Sequence, residues 1–236
     1  MENLGVLARY LQSLVRGLTT LAFEESCLVC GAGYQALCLR CNENWSGEPK
    51  EIKGESFPIF SQGIYDDLAA KIVLSAKESG LGSAKEILSL ALTKSVLALL
   101  RRSEVKEGRI DLVPIPSSRG AQIRRGEDFL FELAKLTKIR LAKAAPVFDF
   151  RISRVLKVRK LIRDQSGLSE RERDLNLSGA FYADLKIPIT TQLVILDDVV
   201  TTGSTLREAN RALKERNLTA LGAATACASQ RRLLIR

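Results

Sequence analysis

Histidine is absent from the 236 residues of this chain, and aromatic residues make up only 6% of it. The absence excludes every mechanism that needs an imidazole base or an imidazole metal ligand. The shortage of aromatic rings argues against a groove that binds single-stranded nucleic acid by stacking its bases. No run of about 18 apolar residues occurs, so the sequence predicts no membrane span.

The N-terminal segment has Glu2 and mixed polar residues where a secretory signal has a basic start and an uninterrupted apolar core. We therefore expect a cytoplasmic protein. Apolar residues recur there at helical spacing, which predicts a helix over residues 1–22. The length of the chain predicts one main domain with a small appendage.

Basic residues exceed acidic ones by nine, and the excess is unevenly distributed. Residues 101–174 contain 19 lysines and arginines against 11 acidic residues, which accounts for nearly the whole surplus. Such a surface suits a polyanion, either nucleic acid or a pyrophosphate, although basic surfaces also occur without such a partner. The densest part, residues 151–173, is open to two interpretations: a basic flap over such a ligand, or an ordinary solvated face.

Four cysteines form two C-x2-C pairs that are separated by seven residues: Cys27, Cys30, Cys38 and Cys41. This pattern is typical of tetrahedral Zn²⁺, and the soft sulfur ligands exclude Mg²⁺ and Ca²⁺. Disulfides need an oxidising compartment, for which there is no targeting signal, and an iron–sulfur cluster also uses four cysteines. We favour zinc and predict a zinc ribbon over residues 23–45. The fifth cysteine, Cys227, lies in an apolar run and is expected in the core.

Residues 46–60 are polar and interrupted by glycine and proline, which predicts a linker. The main domain is predicted over residues 61–236. Helical patterns occupy residues 65–79, 83–101 and 128–137, and short apolar runs predict strands over 111–116, from 181, over 193–196 and over 219–228. Together with the site described next, this order predicts an α/β fold with a doubly wound parallel sheet.

The most informative stretch is LVILDDVVTTGST, residues 193–205. An apolar run predicts a buried parallel strand, and Asp197 and Asp198 follow it at the end where open α/β sheets bind ligands. Two acids there can accept hydrogen bonds from vicinal hydroxyls or hold a divalent cation through water. The following loop opens a helix whose free N–H groups suit a phosphate; its residues are Thr201, Thr202, Gly203, Ser204 and Thr205. An ordinary turn with a capped helix is the alternative.

A second stretch, DLVPIP, runs into Ser117, Ser118 and Arg119. Small polar residues and a guanidinium after a strand predict another anion-binding loop. A turn stiffened by its two prolines is the alternative interpretation.

The stretch LVILDDVVTTGST resembles the phosphoribosyl pyrophosphate (PRPP) signature of type I phosphoribosyltransferases. The resemblance implies that Asp197 and Asp198 contact the ribose 2- and 3-hydroxyls, that residues 201–205 hold the 5-phosphate, and that Mg²⁺ accompanies PRPP. Ser117, Ser118 and Arg119 look like the pyrophosphate loop of that fold. Some purine-salvage members have an acid where this chain has Thr201, so a base acting from that position is absent.

In order along the chain, the four-cysteine module, VPIPSSR, RRG and the motif pairs Gln165–Leu168 and Arg173–Asn176 resemble the ComF family. These are competence-associated, phosphoribosyltransferase-like proteins, and the resemblance covers the chain from about residue 25. The family commonly continues Arg-Gly with Phe-Asn-Gln, whereas this chain has Glu127 and Asp128. The resemblance implies PRPP binding, structural zinc and, in competent bacteria, a link to incoming single-stranded DNA.

Two functions of different classes follow as expectations. The first is a phosphoribosyltransferase-like protein that binds PRPP and Mg²⁺, with no catalytic residue or acceptor base named by the sequence. The second is an adaptor that binds single-stranded DNA or a helicase during DNA uptake, in which PRPP is a regulator or a relic.

Overall fold

The computed structural model describes residues 26–32, 36–53, 55–117, 128–159, 177–184 and 192–230. Three of the features predicted from the sequence lie outside the described residues: the helix over residues 1–22, Ser118 with Arg119, and the motif pairs between residues 165 and 176. The chain divides into two compact units, Met1–Glu43 and Asn44–Arg236. Among the described helices, none has both the length and the apolar character needed to cross a membrane.

A six-stranded sheet forms the centre of the second unit. Its strands are β1 (Lys50–Glu51), β2 (Ile59–Tyr65), β3 (Gly108–Pro114), β4 (Phe148–Ile152), β7 (Gln192–Val200) and β8 (Ala220–Ser229). The strand order is β1-β2-β8-β7-β3-β4, and every neighbouring pair is parallel except the antiparallel pair β1–β2. β7 is thus flanked by β8 and β3, and an interior parallel strand buried on both faces has the continuous apolar run that the sequence shows.

The other two strands, β5 (Leu156–Val158) and β6 (Phe181–Ala183), pair antiparallel in a separate small sheet. They flank the part of the chain between residues 159 and 177. The strand predicted from residue 181 is therefore present, but it does not belong to the main sheet.

Five helices complete the described structure: α1 (Leu39–Ser46), α2 (Asp67–Glu78), α3 (Gly82–Arg102), α4 (Phe129–Ala144) and α5 (Ser204–Lys214). Asp66 caps α2 by accepting a hydrogen bond of 2.8 Å from the backbone N–H of Ala69. α4 continues seven residues beyond its predicted end at residue 137, because good helix formers follow and Leu141 is fully buried.

The core lies between the sheet and the pair α3 and α4, which also pack against each other. α5 packs against β7 and β8 and contacts the small sheet. The buried apolar side chains that join these layers include Val96, Leu99, Ile110, Leu112, Leu141, Val194 and Leu196. This mostly parallel α/β architecture confirms the predicted fold class.

The segment predicted as a linker, residues 46–60, contains β1 and the first two residues of β2. Lys50 pairs with Ser61 and Glu51 with Phe60, so these residues belong to the sheet. Glycine and proline break the segment into pieces too short for a periodic pattern, which is why composition alone suggested a linker. The predicted domain bounds, those of this linker included, stay predictions.

Candidate functional site

The acid pair lies inside β7. The apolar run had suggested that the strand ends before the acids. β8 continues alongside β7 to Val200, so the strand includes Asp197 and Asp198. Only 8% of Asp197 and 5% of Asp198 is exposed. The Asp198 N–H donates to Asp197 Oδ1 at 2.9 Å. Lys77, on α2, places its Nζ 2.5 Å from Asp198 Oδ2.

This environment changes the acidity of the pair. Burial raises the pKa of Asp197 well above its ordinary value, the negative charge of Asp198 raises it further, and Lys77 offsets part of the effect. A cation or a hydrogen-bond donor that binds here therefore competes with a proton on Asp197. Proteins usually bind Mg²⁺ through the oxygens of one or two carboxylates, while the ion keeps several of its water ligands. The donor atoms of the acid pair therefore suit Mg²⁺.

Cys227 lies beside the acids on β8 and is fully buried, which confirms that it is a core residue. Its Sγ lies 3.8 Å from the Asp198 carbonyl oxygen. Burial raises the pKa of this thiol well above its usual range, and the charge of Asp198 adds to the effect. The residue is therefore a neutral thiol and a poor nucleophile.

The predicted loop of hydroxyl residues, 201–205, here called the hydroxyl loop, follows the acids and opens α5. Gly203 has a φ of 81°, a left-handed conformation that favours glycine, and α5 begins at the next residue. The hydroxyls of Thr202 and Ser204 are 2.7 Å apart, and Ser229 Oγ donates to the Thr201 carbonyl at 3.1 Å. The loop thus gathers hydroxyls at a helix N-terminus, the usual setting for a bound phosphate. The PRPP-binding role of its residues stays a prediction.

Three charged residues at this site were not predicted: Lys77, Glu55 and Arg207. Lys77 approaches the acids, and Glu55 and Arg207 form an ion pair against the loop. In the sequence, Lys77 is one lysine of an amphipathic helix and Glu55 lies in a polar segment. No local pattern distinguishes either residue, because tertiary packing alone brings them to the loop. Arg207, three residues after Ser204, carried the only usable signal: a cation in the first helical turn beside a predicted phosphate.

A cavity of about 300 Å³ lies where β3 ends. β3 and β7 are neighbours, with Pro114 opposite Leu196 and the Ile115 N–H donating to the Leu196 carbonyl at 3.0 Å, so the cavity opens one strand away from the acid pair. Its lining combines prolines, three charged side chains and one aromatic ring: Pro114, Pro116, Ser117, Asp128, Arg154, Leu156, Lys157, Val158 and Tyr182. Of the predicted pyrophosphate loop, the described residue Ser117 thus lines this cavity.

The described part of the basic segment is tied to neighbouring side chains. Arg151 pairs with Asp149 at 2.8 Å, and Arg154 pairs with Asp128 at 3.0 Å. The Arg154 guanidinium also lies 3.8 Å from the centre of the Phe131 ring, and Arg159 lies 5.6 Å from that of Tyr182. Of these three arginines, Arg154 lines the cavity at the end of β3.

The four N-terminal cysteines come together in the first unit. Their Sγ atoms all lie within 4.8 Å of one another, and Cys30 Sγ is 3.7 Å from Cys38 Sγ. All are free thiols. A single tetrahedral zinc ion, with zinc–sulfur bonds of about 2.3 Å, separates its ligand sulfurs by about 3.8 Å. The spacing is therefore close to what one metal ion requires.

The two buried cysteines differ in acidity. Burial raises the pKa of Cys27, but backbone hydrogen bonds at Cys38, Cys30 and Val29 outweigh burial and bring it to about 6. Burial raises the pKa of Cys41 to about 12, helped by hydrogen bonds with the three neighbouring thiols and by the charge of Cys27. A thiol cluster with one proton-poor member is suited to bind a cation.

The described part of the chain is a mostly parallel α/β sheet with buried acids and a hydroxyl loop at a helix N-terminus, an arrangement that suits a phosphate ester. Residues 124–234, just under half of the chain, match the family model described as the phosphoribosyl transferase domain. This part of the chain is therefore phosphoribosyltransferase-like. No curated protein matches the chain.

Solved structures of phosphoribosyltransferases are similar to the chain at low sequence identity, as three of them show. Adenine phosphoribosyltransferase from Saccharomyces cerevisiae is 18% identical, with 81% of this chain and 89% of that chain covered and a TM-score of 0.36. Orotate phosphoribosyltransferase from Aeropyrum pernix is 16% identical, with 80% and 78% covered and a TM-score of 0.32. Hypoxanthine phosphoribosyltransferase from Staphylococcus aureus is 16% identical, with 62% and 66% covered and a TM-score of 0.34. At these scores, the names of the three enzymes say nothing about what this chain binds.

Proposed function

We propose that this chain binds PRPP together with Mg²⁺ at residues 197–205. The observation that carries the proposal is the placement of a buried acid pair and a hydroxyl loop at the two ends of one short connection. The acids suit the ribose hydroxyls, and the N-terminus of α5 suits the 5-phosphate. The match of residues 124–234 to the phosphoribosyl transferase domain supports this assignment.

The chemistry that such a site serves is transfer of the phosphoribosyl group. The bond between the anomeric carbon and the pyrophosphate oxygen breaks, a nucleophile forms the new bond to that carbon, and pyrophosphate leaves with both bonding electrons. Mg²⁺, when bound, neutralises the pyrophosphate and helps it to leave. The protein positions the ribose through Asp197, Asp198 and the loop and supplies cations near the leaving group.

The cavity at the end of β3 is the proposed binding place of the pyrophosphate or of the acceptor. It lies one strand from the acids, and Arg154 and Lys157 give it positive charge. Ser117, which lines this cavity, is the first residue of the proposed pyrophosphate loop, and Ser118 and Arg119 follow it in the sequence. The acceptor is left as a chemical class: a nucleophile small enough for about 300 Å³.

Isothermal titration of the full chain with PRPP and Mg²⁺ tests the proposal. We expect binding to the wild-type chain and a loss of at least about tenfold in the double variant Asp197→Asn with Asp198→Asn, since each lost charged contact is worth about 1.5–3 kcal/mol. Asp149→Asn is the matched control, because Asp149 is an exposed acid on β4. Omitting Mg²⁺ should weaken binding of PRPP to the wild type. Absence of binding to folded wild-type protein would refute the proposal.

We also propose that the four cysteines hold one structural Zn²⁺. Their sulfur atoms are as close as a single ion requires, whereas an iron–sulfur cluster separates its thiolates by several metal and sulfide atoms. The ion would be bound by Cys27, Cys30, Cys38 and Cys41 and would stabilise the first unit.

A link to DNA uptake, in the cytoplasm of a competent bacterium, is the second candidate function, and it follows from the resemblance to the ComF family. The surplus of positive charge in residues 101–174 favours it. Fluorescence anisotropy with labelled single-stranded DNA should show an affinity that falls steeply with salt, because released counterions drive such binding. An absent or salt-insensitive signal would argue against direct DNA binding and leave a helicase as the partner to be tested by pull-down.

A further inference from the structure

The hydroxyl loop is already in contact with an anion from its own chain. An ideal Cβ placed on Gly203 would lie 2.5 Å from Glu55 Oε1 and 3.1 Å from Glu55 Cδ. Only 2% of the Glu55 side chain is exposed. The carboxylate therefore lies buried against the loop, at a position that a side chain on residue 203 would fill.

Arg207 connects this carboxylate to the loop. Its Nη1 lies 3.0 and 3.3 Å from the two Glu55 carboxylate oxygens and donates to the Thr202 carbonyl at 2.9 Å. Its Nη2 lies 3.3 Å from Ser204 Oγ. One guanidinium in the first turn of α5 thus binds Glu55 and the loop at the same time.

The donors that surround Glu55 are those that a phosphate monoester needs. A guanidinium, loop hydroxyls and the positive end of a helix all favour an anion, and a phosphate offers three acceptor oxygens where a carboxylate has two. Gly203 permits close approach because it has no side chain. The two anions cannot occupy the same space against the loop, so one excludes the other.

We propose that Glu55 is an internal competitor for the ligand phosphate and that Arg207 is a phosphate-binding residue released from Glu55 when the ligand binds. The proposal rests on the proposed function of the same loop. Glu55 lies between β1 and β2, outside both strands, so its carboxylate can leave the loop without a change in strand pairing. Competition of this kind lowers the apparent affinity by the fraction of molecules whose loop is free.

The competition also sets a requirement on the ligand. A sugar without the phosphate brings no anion to replace the carboxylate and leaves the Glu55–Arg207 pair intact. A 5-phosphorylated ribose brings a dianion that can replace it. Only a phosphorylated ligand can therefore release the Glu55–Arg207 pair, and the cost of that release reduces its advantage over free ribose.

The test is isothermal titration of Glu55→Gln with PRPP and Mg²⁺ and, separately, with ribose 5-phosphate and with ribose. We expect Glu55→Gln to bind both phosphorylated ligands about tenfold more tightly than wild type and to show no gain for ribose. Glu51→Gln is the matched control: Glu51 lies in the same segment but pairs with Arg102 at 3.7 Å. In the double variant with Arg207→Ala, the gain from Glu55→Gln should disappear, because the guanidinium that it frees is missing.

Glu55→Asp provides a second variant if Glu55→Gln folds poorly, since it keeps the charge but withdraws the carboxylate by one methylene, and we expect a smaller gain in the same direction. If wild type bound PRPP and folded Glu55→Gln bound it equally or more weakly, the role of Glu55 as a competitor would be overturned. The proposed function would still stand. If neither folded protein bound PRPP or ribose 5-phosphate, both proposals would be overturned. A gain that persisted in the double variant would exclude the role of Arg207.

Discussion

Asp197 carries a cost for folding at the site where we propose that the ligand binds. Asp197 is buried beside Asp198, and its pKa is raised because burial and the neighbouring charge both oppose ionisation. A carboxyl group whose folded pKa exceeds its unfolded value of about 3.9 binds more protons when folded, so stability falls as pH rises between the two values. The buried carboxyl group of Asp197 therefore lowers the stability of the folded chain as pH rises through this range.

We therefore expect Asp197→Asn to be more stable than wild type at about pH 8 and to lose that advantage near pH 4. Each unit of elevation in pKa corresponds to about 1.4 kcal/mol. Urea unfolding across this pH range measures the difference, and Asp149→Asn should show no such trend. A variant that is destabilised at about pH 8, or one whose advantage does not change with pH, contradicts the expectation.

At the level of elements, an ion pair between the buried Glu208 and the partly exposed Arg211 joins α5 to the small sheet. Glu208 accepts the Phe181 N–H at 3.1 Å and is contacted by Arg211 Nε at 2.6 Å, while Arg211 Nη2 donates to the Phe181 carbonyl at 3.1 Å. These side chains satisfy both backbone groups of Phe181, as a neighbouring strand would. The helix that opens at the hydroxyl loop is thereby connected to β6, which borders the cavity at Tyr182.

Removing the charge on Glu208 should loosen this connection. Burial raises the pKa of Glu208, but hydrogen bonds from Arg211 and Phe181 outweigh burial and leave it lowered. The stabilisation is thus present above the unfolded pKa of about 4.3 and is lost as pH falls through the lower folded pKa. We expect Glu208→Gln to cost about 2 kcal/mol of unfolding free energy at pH 7, and less at acid pH.

Chemical denaturation as a function of pH measures this cost. Glu215→Gln is the matched control, because Glu215 pairs with the same Arg211 but is 55% exposed. Equal losses in the two variants, or a loss that grows on acidification, would show that the Glu208 contact does not act as described.

At the scale of the whole molecule, the chain combines a small cysteine-containing unit with a larger α/β unit. The first unit has few residues with which to build a core, and small domains of this size usually depend on a metal or disulfides. Since its cysteines are free thiols that lie close together, we expect a metal to supply that stabilisation.

Elemental analysis of reduced protein should therefore find about one zinc per chain. Cys30→Ala should lose the metal, because three thiolates bind more weakly than four, whereas Cys227→Ala, in the core of the other unit, should retain it. A chelator should remove zinc and unfold the first unit, as followed by proteolysis. Iron in place of zinc, or a metal-free reduced protein, would refute the zinc assignment.

The sequence by itself determined most of the described helices, the central strand and the residue types of the candidate site. The unbroken apolar run before Asp197 predicted an interior parallel strand, and the two C-x2-C pairs predicted a cluster of four sulfurs, because both patterns depend on neighbouring residues in the chain. The hydroxyl loop was predicted for the same local reason: glycine and hydroxyl residues are favoured where a helix begins.

Only the tertiary structure decided which distant residues meet that loop. Lys77 reaches Asp198 from α2, and Glu55 reaches Gly203 and Arg207 from the segment between β1 and β2. Their sequence neighbours carry no sign of this, because the contacts depend on how the sheet is ordered. The same packing extends β7 through the acids and buries them. The raised pKa of Asp197 and the proposed competition of Glu55 for the loop therefore depend on the fold.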